Sequence, residues 1–255
     1  MPSPSTQRPI ALVTGASRTI GIGAAIAVSL AESGWDVATT FWRPYDATMP
    51  WGSRSSEAGA VLELVQGFSP RAVSLEADLS DPAVPGRIFD FVEQGLGPVS
   101  ALVMAHCQSV DSSITTTTVE SFDLHFAINA RATWLLIREF GLRYRGGFGS
   151  GRIISITSDH TVDNLPYGAS KGAMDRIVLA VVHEFKHLGV TANVINPGAT
   201  DTGWMTPELM ESVRSSTPLG RVGLPQDCAN LVRFLCSKEG GWINGQLLYS
   251  NGGVH

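Results

Sequence analysis

Ile10-Ala11-Leu12-Val13-Thr14-Gly15-Ala16-Ser17-Arg18-Thr19-Ile20-Gly21-Ile22-Gly23 decides the fold. Ile10 to Val13 is a short continuous apolar run, the pattern of a strand buried on both faces. Thr14-Gly15 turns the chain. From Gly21 to Ser33 the spacing becomes helical, with Ile22, Ala25, Ile26, Ser29 and Leu30 on one side and Gly34 as the stop. Glycines in such a turn let the backbone approach a pyrophosphate, and the helix start offers free N–H groups and its positive dipole end. A plain glycine-rich turn has the same composition. The placement, after the first strand and before the first helix, favours nucleotide binding.

Outward from this unit the chain alternates. Strand patterns lie at Asp36 to Thr40, Ala72 to Leu75, Ala101 to Met104, Arg152 to Thr157, Thr191 to Ile195 and Gln246 to Tyr249. Helical patterns lie between them: Ala58, Val61, Leu62 and Val65 up to Gly67; Ile88, Phe89 and Val92; one long helix over Glu120 to Phe140; a second from Tyr167 to Leu188; and Pro225 to Cys236. Alternation of this kind predicts an α/β fold, a doubly wound Rossmann fold whose mostly parallel seven-stranded sheet carries helices on both faces. Residues 10–255 read as a single domain, preceded by a polar, Pro/Ser-rich tail at 1–9.

The chain has 255 residues, 44% of them hydrophobic and 16% charged, with a net charge of -5. That composition can build a sizeable core. It has no basic run, so nucleic acid and anionic membrane are not expected partners. The apolar run after the tail is too short for a signal core or a membrane span. Cys107, Cys228 and Cys236 are sparse and odd in number, which predicts reduced thiols and a cytoplasmic location.

Tyr167-Gly168-Ala169-Ser170-Lys171 opens the helix after strand five. Tyr167 and Lys171 share a helical face. An ammonium beside a phenol favours the phenolate, so the pair reads as a proton donor to a carbonyl oxygen and its tuner. Many surface helices carry the same spacing, and the nucleotide turn upstream is what gives it weight.

His183-Glu184-Phe185-Lys186-His187 formally matches the zinc-protease pattern. On a continuous helix both histidines fall opposite Tyr167, Lys171, Met174 and Val178, and a catalytic zinc needs a third ligand. They read as polar-face residues, and no metal is expected. His106 and His125 read as packing residues and His255 is terminal. His160 sits in the loop leading into Tyr167 and reads as a substrate contact. Phe41 to Ser53, with Trp42, Tyr45 and Trp51, reads as a long loop walling the adenosine end of a cofactor.

These motifs together resemble the short-chain dehydrogenase/reductase family, and the chain is similar to its compact 3-oxoacyl-carrier-protein reductases. The resemblance rests on Thr14-Gly15 with Gly21-Ile22-Gly23, Asp78-Leu79, Asn129, Ser158, Tyr167-x3-Lys171, Asn196-Pro197-Gly198 with Asp201-Thr202, and Pro218-Leu219-Gly220-Arg221 through Gly252-Gly253. It implies a catalytic tetrad. Ser158 would steady the carbonyl, Tyr167 give the proton, Lys171 bind the nicotinamide ribose, and Asn129 hold a relay water. It implies cofactor contacts at Gly15, Ser17, Arg18, Gly21, Ile22, Gly23, Arg43, Asp78, Leu79, Ala105, His106, Tyr167, Lys171, Pro197, Gly198, Thr200 and Thr202. It also implies substrate contacts at Ser158, His160 and Trp204, a lid near 202–216, and a homotetramer paired through its long helices.

Three features depart from the family pattern. The glycine turn is lengthened, as though Thr19-Ile20 were inserted. Enoyl reductases of the superfamily also have stretched turns, but their Tyr–Lys spacing is wider. Met104-Ala105-His106-Cys107 replaces the usual Asn-Asn-Ala-Gly after strand four, and the gap from Ser158 to Tyr167 is short.

Strand two ends Thr39-Thr40-Phe41-Trp42-Arg43 with no carboxylate where a ribose 2′-OH would be read. Arg18 and Arg43 are expected to converge there on a 2′-phosphate, which predicts NADP(H). The expected function is reduction of a small-molecule carbonyl, a 3-oxoacyl thioester or a secondary-metabolite ketone. The alternative is a non-catalytic NADP(H)-binding sensor on the same fold.

Overall fold

Side chains alternate along strand β1 (Ile10–Thr14). Ile10 and Leu12 enter one core, while Ala11 and Val13 enter another on the opposite face. The continuous apolar run therefore marks a strand covered on both sides. In the computed structural model, residues 8–54, 56–69 and 71–254 are described.

Six further strands among these residues are β2 (Asp36–Phe41), β3 (Val73–Glu76), β4 (Ala101–Met104), β5 (Arg152–Ile156), β6 (Thr191–Asn196) and β7 (Leu247–Tyr249). The sheet order is β3-β2-β1-β4-β5-β6-β7 and every pairing is parallel. This is the doubly wound Rossmann arrangement, with its switch point at the carboxyl end of β1. Helices α1 (Ile22–Glu32), α3 (Glu57–Gln66) and α9 (Pro225–Cys236) contribute to the core of one face. Helices α4 (Val84–Gly95), α6 (Ala132–Arg143) and α7 (Leu165–Glu184) contribute to the other. The other α-helices are α2 (Arg43–Thr48), α5 (Val119–His125) and α8 (Pro207–Ser216). Among the described residues no helix is long and apolar enough to cross a membrane.

Several elements differ from the sequence expectation. The single helix expected over 120–140 is α5 and α6 joined by a π-helical segment, Phe126–Arg131. One wide turn re-aims Asn129 inward without disturbing the apolar spacing on either side. The expected loop at 41–53 contains α2, started by Pro44, whose fixed φ suits a first helical turn. Helix α7 stops at Glu184 rather than Leu188, so His187 lies beyond it and shares no helical face with His183. Strand β3 runs on to Glu76.

Residues 1–7 of the expected tail, and His255, lie outside the described residues. Arg8 and Pro9 are anchored instead of loose. Arg8 donates to the Phe68 carbonyl at 3.1 Å and faces the buried Asp36 carboxylate at 3.9 Å, while Pro9 accepts from the Asp36 N–H at 2.9 Å.

Candidate active site

Two glycines shape the turn between β1 and α1. Gly15 has φ +75°, and a Cβ there would lie 2.6 Å from the His106 backbone. At Gly23 a Cβ would lie 2.9 Å from the carbonyl carbon of Gly15. The turn therefore rests directly on the chain leaving β4, and a side chain at either position would push them apart. Gly21 has no side chain to cap α1, so the first N–H groups of the helix face the turn.

The His106 side chain points away from this cradle. Its Nε2 lies 3.1 Å from the Ile128 carbonyl and its Nδ1 2.7 Å from the Thr14 hydroxyl. A carbonyl only accepts, so Nε2 carries the proton and Nδ1 accepts from Thr14. Burial, aided by the Lys171 charge, pushes the His106 pKa down to about 3. His106 thus pins β1 to the π-helical segment as a neutral ring, and only its backbone is left for a cofactor.

That shift has a measurable sign. Between pH 6.5 and about 3 the unfolded chain binds a proton at His106 that the folded chain refuses. Stability contributed by the neutral ring is present above pH 6.5 and falls by up to about 1.4 kcal/mol per pH unit below it. Denaturant titrations of wild type and His106→Asn should therefore converge as pH drops from 7 towards 4.5. A constant gap across that range would contradict the assignment.

Tyr167 and Lys171 lie one turn apart on α7, with Nζ 5.8 Å from the phenol ring centre. Lys171 is 1% exposed. Its ammonium donates to the Ile156 carbonyl at 2.8 Å and the His106 carbonyl at 3.4 Å, which aims it at the exits of β5 and β4. Burial holds its pKa below the usual lysine range, opposed by Cys107 and Asp175. The Tyr167 pKa is raised, contrary to the expectation from its neighbouring ammonium. Burial is the largest cause, followed by Cys107, and a hydrogen bond with Ser158 opposes them. Desolvation outweighs attraction here because the phenolate would lose its water. The phenol stays protonated, the form a proton donor needs.

Asn129 braces this pair. Its amide donates to the Gln108 carbonyl at 2.9 Å and the Ser170 hydroxyl at 2.8 Å, and its oxygen accepts from the Gln108 N–H at 2.8 Å. Ser170 in turn donates to the Tyr167 carbonyl at 2.9 Å. Both Asn129 N–H bonds are thus used by the protein, tying the β4 exit to α7 beneath Tyr167. Gln108 and Ser170 carry no sequence signal of this role. Ser158 also accepts from the His160 N–H at 3.1 Å, while the His160 side chain is exposed.

The two arginines do not converge. Arg43 is held by Glu76, with Nε to Oε1 at 2.9 Å and Nη2 to Oε2 at 2.5 Å. The β2–β3 register pairs Phe41 with Glu76, so a carboxylate does stand beside the strand-two exit, supplied by the neighbouring strand. Arg18 is 8% exposed. It lies over the Trp51 ring at 4.2 Å and donates to the Thr202 carbonyl.

The loop expected to wall the adenosine end reaches farther than that. Tyr45 donates to the Ser109 carbonyl at 3.3 Å, beyond β4. Trp51 closes the segment by donating to the buried Asp46 carboxylate at 3.0 Å.

The remaining predicted residues ring the same end of the sheet. Asp78 accepts from the Ser80 N–H at 2.9 Å, and Leu79 is buried. Gly198 donates to Asn196 at 2.9 Å, and Thr200 packs against Pro197 and Gly198. Ser17, Ile22 and Ala105 are partly exposed around the turn. Trp204 is exposed beside α8, a helix with no buried residue.

A family model described as enoyl-(acyl carrier protein) reductase matches residues 15–255. An uncharacterized oxidoreductase of Bacillus subtilis, YjdA, is 35% identical over 97% of this chain and 97% of its own length. An NADPH-dependent aldehyde reductase-like chloroplastic protein of Arabidopsis thaliana is 36% identical over 96% of this chain and 93% of its own. Among solved structures, a short chain dehydrogenase of Burkholderia cenocepacia in complex with NADP superposes with a TM-score of 0.85. It shares 31% identity, covering 97% of this chain and 98% of that one.

Proposed function

Because the chain belongs to the short-chain dehydrogenase/reductase family and is an NAD(P)-dependent oxidoreductase, we propose that it is an NADPH-dependent carbonyl reductase with Tyr167 as proton donor. The single observation carrying this reading is the half-buried Tyr167 phenol one turn from the buried Lys171 ammonium at the carboxyl ends of the strands. The turn fits a dinucleotide, since it leaves the N-terminus of α1 without a side-chain cap and is held tight by glycines whose added Cβ would strike backbone. A bound reduced nicotinamide supplies the hydride.

The chain's own residues do the rest. The turn from Gly15 to Gly23 with Ser17, Arg18 and Ile22 receives the pyrophosphate on the α1 N-terminus. Asp78, Leu79, Ala105 and the His106 backbone flank the adenosine side. Lys171 holds the ribose nearest the carbonyl and, with Pro197, Gly198, Thr200 and Thr202, fixes the ring. Ser158 donates to the substrate carbonyl, and Tyr167 releases its proton to the oxygen as charge develops there. Asn129 holds this geometry from below.

Residues 10–255 act as one unit with a lid near 202–216. The substrate is an aldehyde or ketone, with a 3-oxoacyl thioester or a secondary-metabolite ketone as candidates. His160 and Trp204 are exposed where they can meet it. The free Cys107, Cys228 and Cys236 fit a reducing cytoplasm.

NADP(H) is favoured over NAD(H) by the lack of an acid on β2 at its carboxyl end, Asp36 standing at the other end, and by the cofactors named for the two relatives above. Arg43, itself exposed, would exchange its half-buried Glu76 partner for the 2′-phosphate. Arg43→Ala should weaken NADPH binding roughly tenfold or more and leave NADH nearly unchanged. Fluorescence titration checks this, and equal loss for both cofactors would contradict it.

A homotetramer is supported by the exposed apolar side chains Val119, Phe122 and Leu124 on α5 and Trp134 and Leu142 on α6. Light scattering at micromolar concentration should give the tetramer mass, and a monomer would refute it.

A further inference from the structure

The segment leaving β2 touches residues that lie across the sheet from it. β1 stands between β2 and β4 in the strand order. A chain running from Phe41 to a residue beyond β4 must therefore pass over the carboxyl end of β1. That is where a doubly wound sheet takes a dinucleotide. Tyr45 makes this crossing, with its hydroxyl donating to the Ser109 carbonyl at 3.3 Å. Its phenol lies close enough to Cys107 and Tyr167 for both to act on its ionisation.

The far end of the segment is also anchored in the cleft. The Trp51 ring stacks beneath the Arg18 guanidinium at 4.2 Å, and Arg18 belongs to the glycine turn itself. The same guanidinium donates to the Thr202 carbonyl on the lid. Ile20, in the lengthened part of the turn, meets the lid as well. A Cβ on Gly203 would lie 2.6 Å from Ile20 Cδ1. Between the two anchors the Trp51 indole donates to Asp46 at 3.0 Å, and Asp46 is 6% exposed.

We infer that Tyr45–Trp51 is a strap closed across the dinucleotide cleft, latched at Tyr45–Ser109 and Trp51–Arg18, which lifts before the cofactor seats while Arg43 stays at the β2 exit. The inference rests on the cofactor reading above. The strap accounts for the lengthened turn, because Arg18 and Ile20 hold strap and lid together when the cleft is shut. It makes cofactor association a gated step, with a rate set by opening at high cofactor concentration.

Hydrogen exchange on the wild-type chain gives the two arrangements opposite signs. A strap displaced by saturating NADPH shows faster amide exchange over 45–51. A fixed wall that contacts the cofactor shows slower exchange there, and that result overturns the strap while leaving the cofactor reading intact. Stopped-flow binding supplies the second measurement. Wild-type association rates should plateau with NADPH concentration, and Tyr45→Phe/Trp51→Leu should raise the plateau and tighten Kd by about threefold or more. Weaker binding by that variant also overturns the strap. If the wild type binds no nicotinamide nucleotide, the cofactor reading fails and takes the strap with it.

Discussion

Tyr167→Phe leaves NADPH affinity within about twofold and lowers turnover by a factor of about 10² or more. The substitution removes one oxygen and keeps the ring, so the packing around this half-buried position survives. The expected split follows from where the group acts. Desolvation raises its pKa, so the hydroxyl stays protonated at neutral pH. Such a group contributes when charge grows on a carbonyl oxygen and little before that, so kcat falls and cofactor binding does not. Steady-state kinetics beside a cofactor titration measures both quantities. A Phe variant with near-normal turnover would remove Tyr167 from the chemistry.

Lys171→Met lowers turnover by about 10² as well, but weakens NADPH binding at the same time. Methionine keeps the unbranched stem in the buried channel and removes the charge. The lost groups are the ammonium donors to the Ile156 and His106 carbonyls, which fix the exits of β5 and β4 around the site. Taking a buried charge out of the core relieves its desolvation, so the melting temperature changes little. Combined loss of kcat and affinity, at nearly constant stability, distinguishes this role from a packing role. A variant that melts early yet retains kcat would mark Lys171 as structural.

The sheet was legible because alternation is a local property. Ile10 and Leu12 against Ala11 and Val13 already state that both faces are covered. The glycine turn was legible for the same reason, since backbone approach needs glycine wherever it occurs. Tyr167 and Lys171 were found by helical spacing. The relations that escaped are those set by burial or by distance along the chain. The direction of the Tyr167 shift depends on desolvation, which no neighbour list in the sequence conveys. The Glu76 carboxylate beside Arg43 follows from a register between two strands. The π-helical turn at Asn129 leaves the apolar periodicity on each side intact, so nothing in the pattern marks it. The His106 ring packs, as its place in the sequence suggests, but the partners that satisfy both nitrogens, Thr14 and Ile128, are distant along the chain. Tyr45 joining Ser109 is a contact between loops on either side of β1, visible only once the strand order is known.

The central claim is that the fold turns over a carbonyl rather than merely binding a nucleotide. Following NADPH oxidation at 340 nm with the purified chain and a panel of aldehydes and ketones, 3-oxoacyl thioesters included, tests it most directly. The account predicts substrate-dependent loss of reduced cofactor that Tyr167→Phe abolishes. Tight NADPH binding with no turnover across the panel would contradict it and identify the chain as a nucleotide sensor.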